Sequence, residues 1–398
     1  MNEKSQFIDL NVTKHPLTEM LHKQPYQMCT RTVMDTSDPE ISFDAEGVCN
    51  HVKKFEYWDQ NQRLIGKRAE LHLEAIVEKL RKAGRGKDYD CIMGLSGGVD
   101  SSYMSYFVTK VLGLRALVVH VDTGWNSELA VMNIQSIVQK LNLDLHTLVI
   151  DWDEMRDLQL AYFKSGIANL DVPQDHCFIA SLYQEAKKYG IKHIMNGGNM
   201  ATESILPSAW GYSASDSWNL KSIHAAYGTG SLANYPSVGF WKLNLVLPYV
   251  QGMETIRPLE YIEYNKAKVK AFLMEELGWR DYGGKHYESV FTKFFQAHYL
   301  PTRFGYDKRK AHLSSLIVSG QLSRDEAIEE LKKPLYDPQE LEQDKIYFTK
   351  KLGITLEEFE FILQKPIVHY TNFKNQVDAN KKLSNVIRRL ARIKRALK

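Results

Sequence analysis

Apolar side chains recur at helical spacing over residues 59–83, and the pattern stops at Gly84. Beyond it the period switches back and forth. YDCIMGL (89–95), RALVVHVDTGW (115–125), LHTLVIDW (145–152) and IKHIMNGG (191–198) are short apolar runs that predict strands. VDSSYMSYFVTKVLG (99–113), SELAVMNIQSIVQKLN (127–142) and PQDHCFIASLYQEAKKYG (173–190) carry apolar residues three and four apart and predict helices. Apolar strands alternating with amphipathic helices imply an α/β fold, a doubly wound parallel sheet covered on both faces. After Gly198 the pattern loosens into a Gly/Ser/aromatic-rich stretch to about Leu247, and from Glu260 onward it is mostly helical. Three regions are expected: an irregular N-terminal segment over 1–58, an α/β domain over 59–256 and a mostly helical region over 257–398.

Composition changes this picture little. Of 398 residues 44% are hydrophobic and 25% charged, as in an ordinary globular protein, and a net charge of +3 does not call for nucleic acid. The opening MNEKSQFIDLNVTKHPL lacks the apolar core of a signal peptide, and no run reaches a membrane span of about 18 apolar residues. Four cysteines do not make a disulfide scaffold in a chain this long, so a cytoplasmic protein is expected.

The candidate chemistry begins where the first strand ends, at Ser96-Gly97-Gly98-Val99-Asp100-Ser101-Ser102. Ligands of open parallel sheets sit beyond the carboxyl ends of the strands. Glycines let the backbone turn tightly and approach a ligand, and the free N–H groups of a helix start favour phosphate. Ser96, Ser101 and Ser102 add hydroxyls, while Asp100 beside phosphate calls for a bridging Mg²⁺. A plain Gly-Gly turn with Ser and Asp as helix caps is the simpler alternative. The string is neither a Walker A loop nor G-x-G-x-x-G.

SGGVDSS resembles the PP-loop of the ATP pyrophosphatases, which have a HUP-like doubly wound sheet, attack the α-phosphate of ATP and release pyrophosphate. The resemblance implies that the loop, Ser96 to Ser102, holds pyrophosphate with Asp100 on Mg²⁺. It implies adenine near Val121-Asp122-Thr123, and a second nucleotide loop in NGGNMATES (196–204), with Gly198 lining it and Glu203 as a second metal ligand. A helix cap is the other reading of Glu203. The ordered set of CTRTVMDTSDPEISFDAEGVCNHV (29–52), DVPQDHCFIASLY (171–183), NGGNMATES, RPLEYIEYNKAKV (257–269) and the stretch 283–327 is similar to the N-acetyl sugar amidotransferases over about residues 26–370. That family converts an acetamido group of a bacterial surface sugar into an acetamidino group, as in lipopolysaccharide O-antigen synthesis. Within 283–310 it points to Lys285, His286, Glu288 and Lys293 beside ATP or sugar; a solvated basic face remains the alternative. His176 is open to facing the sugar or lying in the core.

The same resemblance implies ATP and Mg²⁺, a nucleotide- or lipid-linked sugar, and a separate glutaminase subunit supplying ammonia, with a barrel partner to guide it. No G-x-C-x-G elbow surrounds a cysteine, and Met1-Asn2 stand where an N-terminal nucleophile would be. Where the family has two C-x-x-C pairs, a zinc signature, this chain has Cys29-Thr-Arg-Thr32 and Cys49-Asn-His-Val52. Zinc is therefore not expected, and Val33, Ile41, Phe43 and Val48 should hold the segment by packing. A tRNA-modifying enzyme of the thiolase type is the alternative function, weakened by the absence of a reactive cysteine pair. The tail 381–398 is a basic amphipathic helix: it could cover the core, meet a partner or contact anionic lipid, membrane being the least favoured.

Overall fold

The structure, a computed structural model, describes residues 25–284 and 287–396; the bets on Lys285 and His286 lie outside the described residues. Helices α1 (Asn50–Asn61) and α2 (Gly66–Ala83) lead into a sheet of five parallel strands. β1 (Cys91–Gly94) feeds α3 (Val99–Tyr106), which runs on as a π-helical turn to Val111. β2 (Ala116–Asp122), α4 (Glu128–Leu141) and β3 (Asp144–Val149) extend the sheet on one side. The chain then crosses back through α5 (Trp152–Ser165) and α6 (Val172–Lys188) to β4 (His193–Met195) beside β1, and β5 (Glu254–Ile256) closes the far edge. The order β3-β2-β1-β4-β5 reverses direction between β1 and β4. That reversal is where an open α/β sheet leaves a crevice.

Alternation along the strands builds two cores. Ile92, Leu117, Val119, Val121 and Ile194 face the side covered by α5 and α6, while Cys91, Met93, Ala116, Val118 and Met195 face α3 and α4. The second core also takes Leu273 and Leu277 of α9 (Lys266–Leu277), which follows the two short helices α7 (Met200–Glu203) and α8 (Ser217–Tyr227). The first core is enlarged by the C-terminal region. Phe291 and Phe294 of α10 (Val290–Phe294), Leu300 of α11 (Leu300–Phe304), Ala311 of α12 (Lys308–Val318), Phe348 of α14 (Pro338–Leu352) and Phe359 of α15 (Leu356–Gln364) are all buried there, with α13 (Arg324–Lys332) alongside α12. The helical region thus shares a core with the sheet.

The sequence pattern differs from the structure in four places, the first being α1, most of which lies in the stretch 1–58 expected to be irregular. α5 was not anticipated, although Asp151 caps it by accepting from Glu154 N at 3.0 Å. β5 was missed because three residues carry too little pattern. The loose stretch after Gly198 contains α8 and a π-helix, Lys242–Val250.

The cysteine segment keeps its ribbon shape, with antiparallel bridges Met28–Asp35 and Phe43–Cys49. Cys29, Thr32, Cys49 and Val52 are all fully buried together with Val33, and Cys49 N donates to Cys29 Sγ at 3.3 Å. Ile41 is buried, and Phe43 and Val48 pack half-buried against the core. Polar contacts add to this packing: Val33 N donates to Ser314 Oγ, Arg324 Nε to the carbonyls of Cys29 and Thr32, and Lys310 pairs with buried Asp35. The tail is helical, α16 (Val377–Ala396), with Val386 and Leu390 more than half exposed rather than covering the core. Among the described residues no helix is long and apolar enough to cross a membrane.

Candidate active site

The loop after β1 is shaped by contacts that sequence spacing does not show. Gly97 has φ +82°, and a Cβ there would lie 2.7 Å from the Ala130 carbonyl oxygen, so only glycine suits the turn. Buried Trp279 donates from Nε1 to Gly97 O at 2.8 Å and fixes the loop from beneath. Ser96 Oγ and Ser101 Oγ lie 3.1 Å apart, and Ser101 Oγ also donates to Gly98 O. Gly98 carries no capping side chain at the start of α3; Gly98 N donates to Ser96 Oγ at 3.3 Å and the Val99 amide to the Tyr282 hydroxyl. A glycine turn leading into a helix start is a backbone arrangement that suits phosphate.

Asp100 sits in the first turn of α3 and faces the loop after β4. It accepts a short hydrogen bond from buried Tyr264 OH and a longer one, 3.4 Å, from Asn199 Nδ2. Burial first, and then the Asp100 charge, push the Tyr264 hydroxyl far above its ordinary pKa, so it stays a donor. Gly197 backs onto the Asp100 carbonyl: a Cβ there would meet it at 3.3 Å. Glu203 ends α7, with its Oε2 3.3 Å from where a Gly198 Cβ would be. The cap of α7 is Asn199, which accepts from Thr202 N, so Glu203 is not needed as a start cap. Two carboxylates and neighbouring oxygens suit Mg²⁺, which commonly takes one or two protein carboxylates and completes its shell with phosphate and water. Among the described residues no group of three or more His, Cys, Asp or Glu side chains is placed to hold a metal.

At the end of β2, Val121 is buried in the core, so only its backbone is available to a nucleotide. Asp122 Oδ1 accepts from Gly124 N and Asn126 Nδ2, tying the strand end into a turn. Ser102 is fully buried beneath the loop.

Residues 287–290 cross this turn as a strap. Ser127 N donates to Glu288 O, and Val290 N to Trp125 O, at 2.8 and 2.9 Å. The strap brings Glu288 Oε1 to 3.0 Å from where a Gly98 Cβ would stand, directly over the loop. Lys293 goes elsewhere. Its Nζ is 3.1 Å from Asp344 of α14 and 4.7 Å above the Tyr336 ring, a bridging role that gives no support to a cation beside ATP. Arg303 binds the carbonyls of Ile362 and Lys365, and Arg309 binds Asp307 and the Lys333 carbonyl. From this basic stretch Lys308 lines the cleft described next. His176 is a core residue: Val238 N donates to Nε2, so Nδ1–H donates to Ala214 O at 2.7 Å, and burial lowers its pKa.

A cleft of about 530 Å³ opens from Ser96 and Glu288. Its floor is Asp171, Gln174, Ser289 and Thr292, and its outer wall includes Tyr212 and Tyr370, stacked with ring centroids 3.7 Å apart. All four cysteines are buried. Burial raises the thiol pKa of Cys91 and Cys177, which removes them as nucleophiles.

Comparison with known proteins matches two separate stretches of the chain. Residues 70–172 match the NAD synthase family, and residues 288–388 match the family described as LPS biosynthesis protein WbpG-like, C-terminal domain. The glutamine-hydrolysing GMP synthase of Thermosipho africanus is 27% identical over 39% of this chain, and the chain spans only 29% of that relative. An uncharacterised protein of Methanocaldococcus jannaschii is 22% identical over 66% of this chain and 78% of its own length. The solved U34-tRNA thiolase NcsA of Methanococcus maripaludis covers 63% of this chain and 79% of its own, with 17% identity and a TM-score of 0.31, too loose a likeness to argue from. An NAD synthase-like segment and a WbpG-like segment joined in one chain support the likeness to the N-acetyl sugar amidotransferases of the PP-loop superfamily.

Proposed function

We propose that the chain is an ATP-dependent amidotransferase that converts the acetamido group of a nucleotide- or lipid-linked bacterial sugar into an acetamidino group. The observation that carries this reading is the shared cleft. One end is the loop residue Ser96, and much of the wall, including Glu288, Ser289, Thr292, Gln296, Lys308 and Tyr370, belongs to the WbpG-like segment. A phosphate cradle therefore opens directly onto a space lined by the part of the chain that resembles a lipopolysaccharide enzyme.

An amide carbon is a poor electrophile because its oxygen is a poor leaving group. In the proposed reaction the acetamido oxygen attacks the α-phosphorus of ATP, the bond to the β-phosphate bridging oxygen breaks, and pyrophosphate leaves. Ammonia then adds to the activated carbon. The C–O bond breaks with its electron pair on oxygen, AMP departs with the original acetamido oxygen, and an amidinium remains. One hard displacement becomes two easier ones. The amides at the start of α3, with Ser96 and Ser101, would hold the departing pyrophosphate. Asp100 and Glu203 would hold Mg²⁺, which when bound offsets the phosphate charge. Tyr264 and Asn199 fix the Asp100 carboxylate in place.

The test measures pyrophosphate release from ATP with UDP-N-acetylhexosamines and CMP-N-acetylneuraminate, with and without ammonium chloride. The expected result is release that depends on the acetamido sugar, with a product in which one oxygen is replaced by NH. Release stimulated by tRNA but by no acetamido sugar would overturn the reading in favour of RNA modification.

A further inference from the structure

Gln296 lies in the π-helical turn Phe295–Tyr299 that joins α10 to α11. Its neighbours Phe295 and Tyr299 are buried in the first core, while Gln296 lines the cleft. It is only 8% exposed, yet its side-chain amide makes no hydrogen bond to any described residue, and neither polar atom is sealed off from the cleft. A buried amide is costly unless something meets its donors and its acceptor. Ser289, Thr292 and Gln296 follow one another at spacings of three and four, so they share one helix face, and all three line the cleft. The two hydroxyls have spent their protons: Ser289 Oγ donates to Gln174 Oε1 at 3.4 Å and Thr292 Oγ1 to Asp171 Oδ1 at 3.0 Å. Toward the cleft they can only accept. Of the three, Gln296 alone keeps both donor and acceptor uncommitted.

The chemistry of the proposed reaction selects which end of that amide is useful. A secondary acetamide offers one donor, its N–H, and one acceptor, its oxygen. The oxygen is the nucleophile, so a hydrogen bond donated to it would hold back the electrons that attack ATP. A bond accepted from the N–H does the reverse: it pushes density through the amide onto oxygen and fixes which way the oxygen points. The carbonyl end of Gln296 can supply that bond. It serves the product as well, because an amidinium carries N–H donors and no acceptor. The side chain is neutral, which suits an uncharged amide.

We propose that Gln296 reads the acetamido group of the acceptor: Oε1 takes the N–H of an N-acetyl sugar and leaves the acetamido oxygen to face the Ser96 loop at the other end of the cleft. The ligand class is a neutral secondary acetamide on a polyhydroxylated ring, whose hydroxyls can donate to the Ser289 and Thr292 oxygens. The inference rests on the amidotransferase reading for its chemistry, but binding tests it separately.

The experiment reads saturation-transfer NMR on the acetyl methyl resonance of UDP-N-acetylglucosamine, UDP-N-acetylgalactosamine and CMP-N-acetylneuraminate, without ATP. Each is compared with its O-acetyl counterpart, which lacks the N–H. Wild type should saturate the acetyl methyl of at least one amide and prefer it to the ester. Gln296→Leu removes donor and acceptor together; it should lose about tenfold in affinity for the amide and lose the preference over the ester, with no drop in melting temperature. Gln296→Met is read in its place if the leucine does not fold. Gln296→Glu keeps an oxygen acceptor in the same shape and should keep the preference, which separates acceptance of the N–H from donation to the carbonyl. Failure to saturate any acetyl methyl in wild type, an apolar variant that keeps affinity and preference, or a Gln296→Glu protein that loses the preference overturns the proposal. If these binding results hold while no sugar supports pyrophosphate release, the acceptor site stands and the reaction reading falls. If an acetamido sugar does support release but the apolar variant binds it as wild type does, the reaction reading stands and the role of Gln296 falls.

Discussion

The hydroxyl of Tyr264 donates to the carboxylate of Asp100, joining the start of α9's lead-in to the first turn of α3. This bond holds a charge in place at the crevice between β1 and β4. Asp100→Asn should abolish pyrophosphate release while leaving the melting temperature near that of wild type, because the side chain is only half-buried and carries little of the core. Tyr264→Phe keeps the ring in its pocket and removes the donor. It should raise the KM for ATP about tenfold through one lost hydrogen bond to a charged group, roughly 1.5 kcal/mol. An Asp100→Asn protein with wild-type turnover would remove the carboxylate from the mechanism.

Gly97 and Gly98 should respond differently to one added methyl. Gly97→Ala places its Cβ 2.7 Å from the backbone oxygen of Ala130 at φ +82°, where nothing flexible can yield. A cost of about 1–3 kcal/mol in stability and loss of ATP binding are expected, read by thermal melting and nucleotide titration. Gly98→Ala meets the end of the Glu288 side chain at 3.0 Å, which can swing aside. Its melting temperature should stay close to wild type.

The pH dependence of stability should show His298. Burial first, then the charge of Lys345, lower its pKa to about 4, and Nε2 has no hydrogen-bond partner among the described residues. The folded state therefore favours the neutral ring. Above the unfolded value of about 6.5 the group adds no pH dependence; below it the unfolded chain binds the proton first. Stability should fall as pH drops from about 6.5 toward 4, by at most about 1.4 kcal/mol per unit from this group. Chemical denaturation across that range should give a shallower slope for His298→Leu. His176 and His193, also lowered by burial, would supply what slope remains.

Nitrogen supply gives a further check. All four thiols are buried, so none is exposed to attack glutamine. Glutamine alone should support no product, whereas ammonium salts at alkaline pH should, because only unprotonated ammonia carries the lone pair that attacks carbon. Adding a cognate glutaminase should restore glutamine use at neutral pH. Glutamate released by this chain alone would contradict the prediction.

The loop and its flanking strand and helix could be read from sequence because they form one local unit: an apolar run, a glycine turn and a helix start within about 20 residues of chain. The cleft could not. Ser96, Asp171, Gln174, Tyr212, Thr292 and Tyr370 come from well-separated segments, and no periodicity links them. Trp279 beneath Gly97 and Tyr264 on Asp100 were missed for the same reason: an aromatic in a helical stretch reads as core until its polar atom is seen to have a partner. Lys293 was singled out as a cation in a patterned segment, but which face of α10 meets α14 decides its partners, and that depends on the packing of Phe291 and Phe294 against Phe348.

The strap 287–290 has a mechanical consequence. The same short piece of backbone is bonded to Trp125 and Ser127, holds Glu288 over Gly98, carries Ser289 to the cleft floor and leads into α10 with Thr292 there. In the proposed reaction it would work as a lever between the loop and the cleft. If a phosphate chain binds at the loop and sugar in the cleft, a displacement of Glu288 would be passed to Ser289 and Thr292, and sugar on those hydroxyls would press back on the loop. By reciprocity, the factor by which either substrate changes the other's affinity is the same in both directions, so the enzyme would register the pair rather than its members.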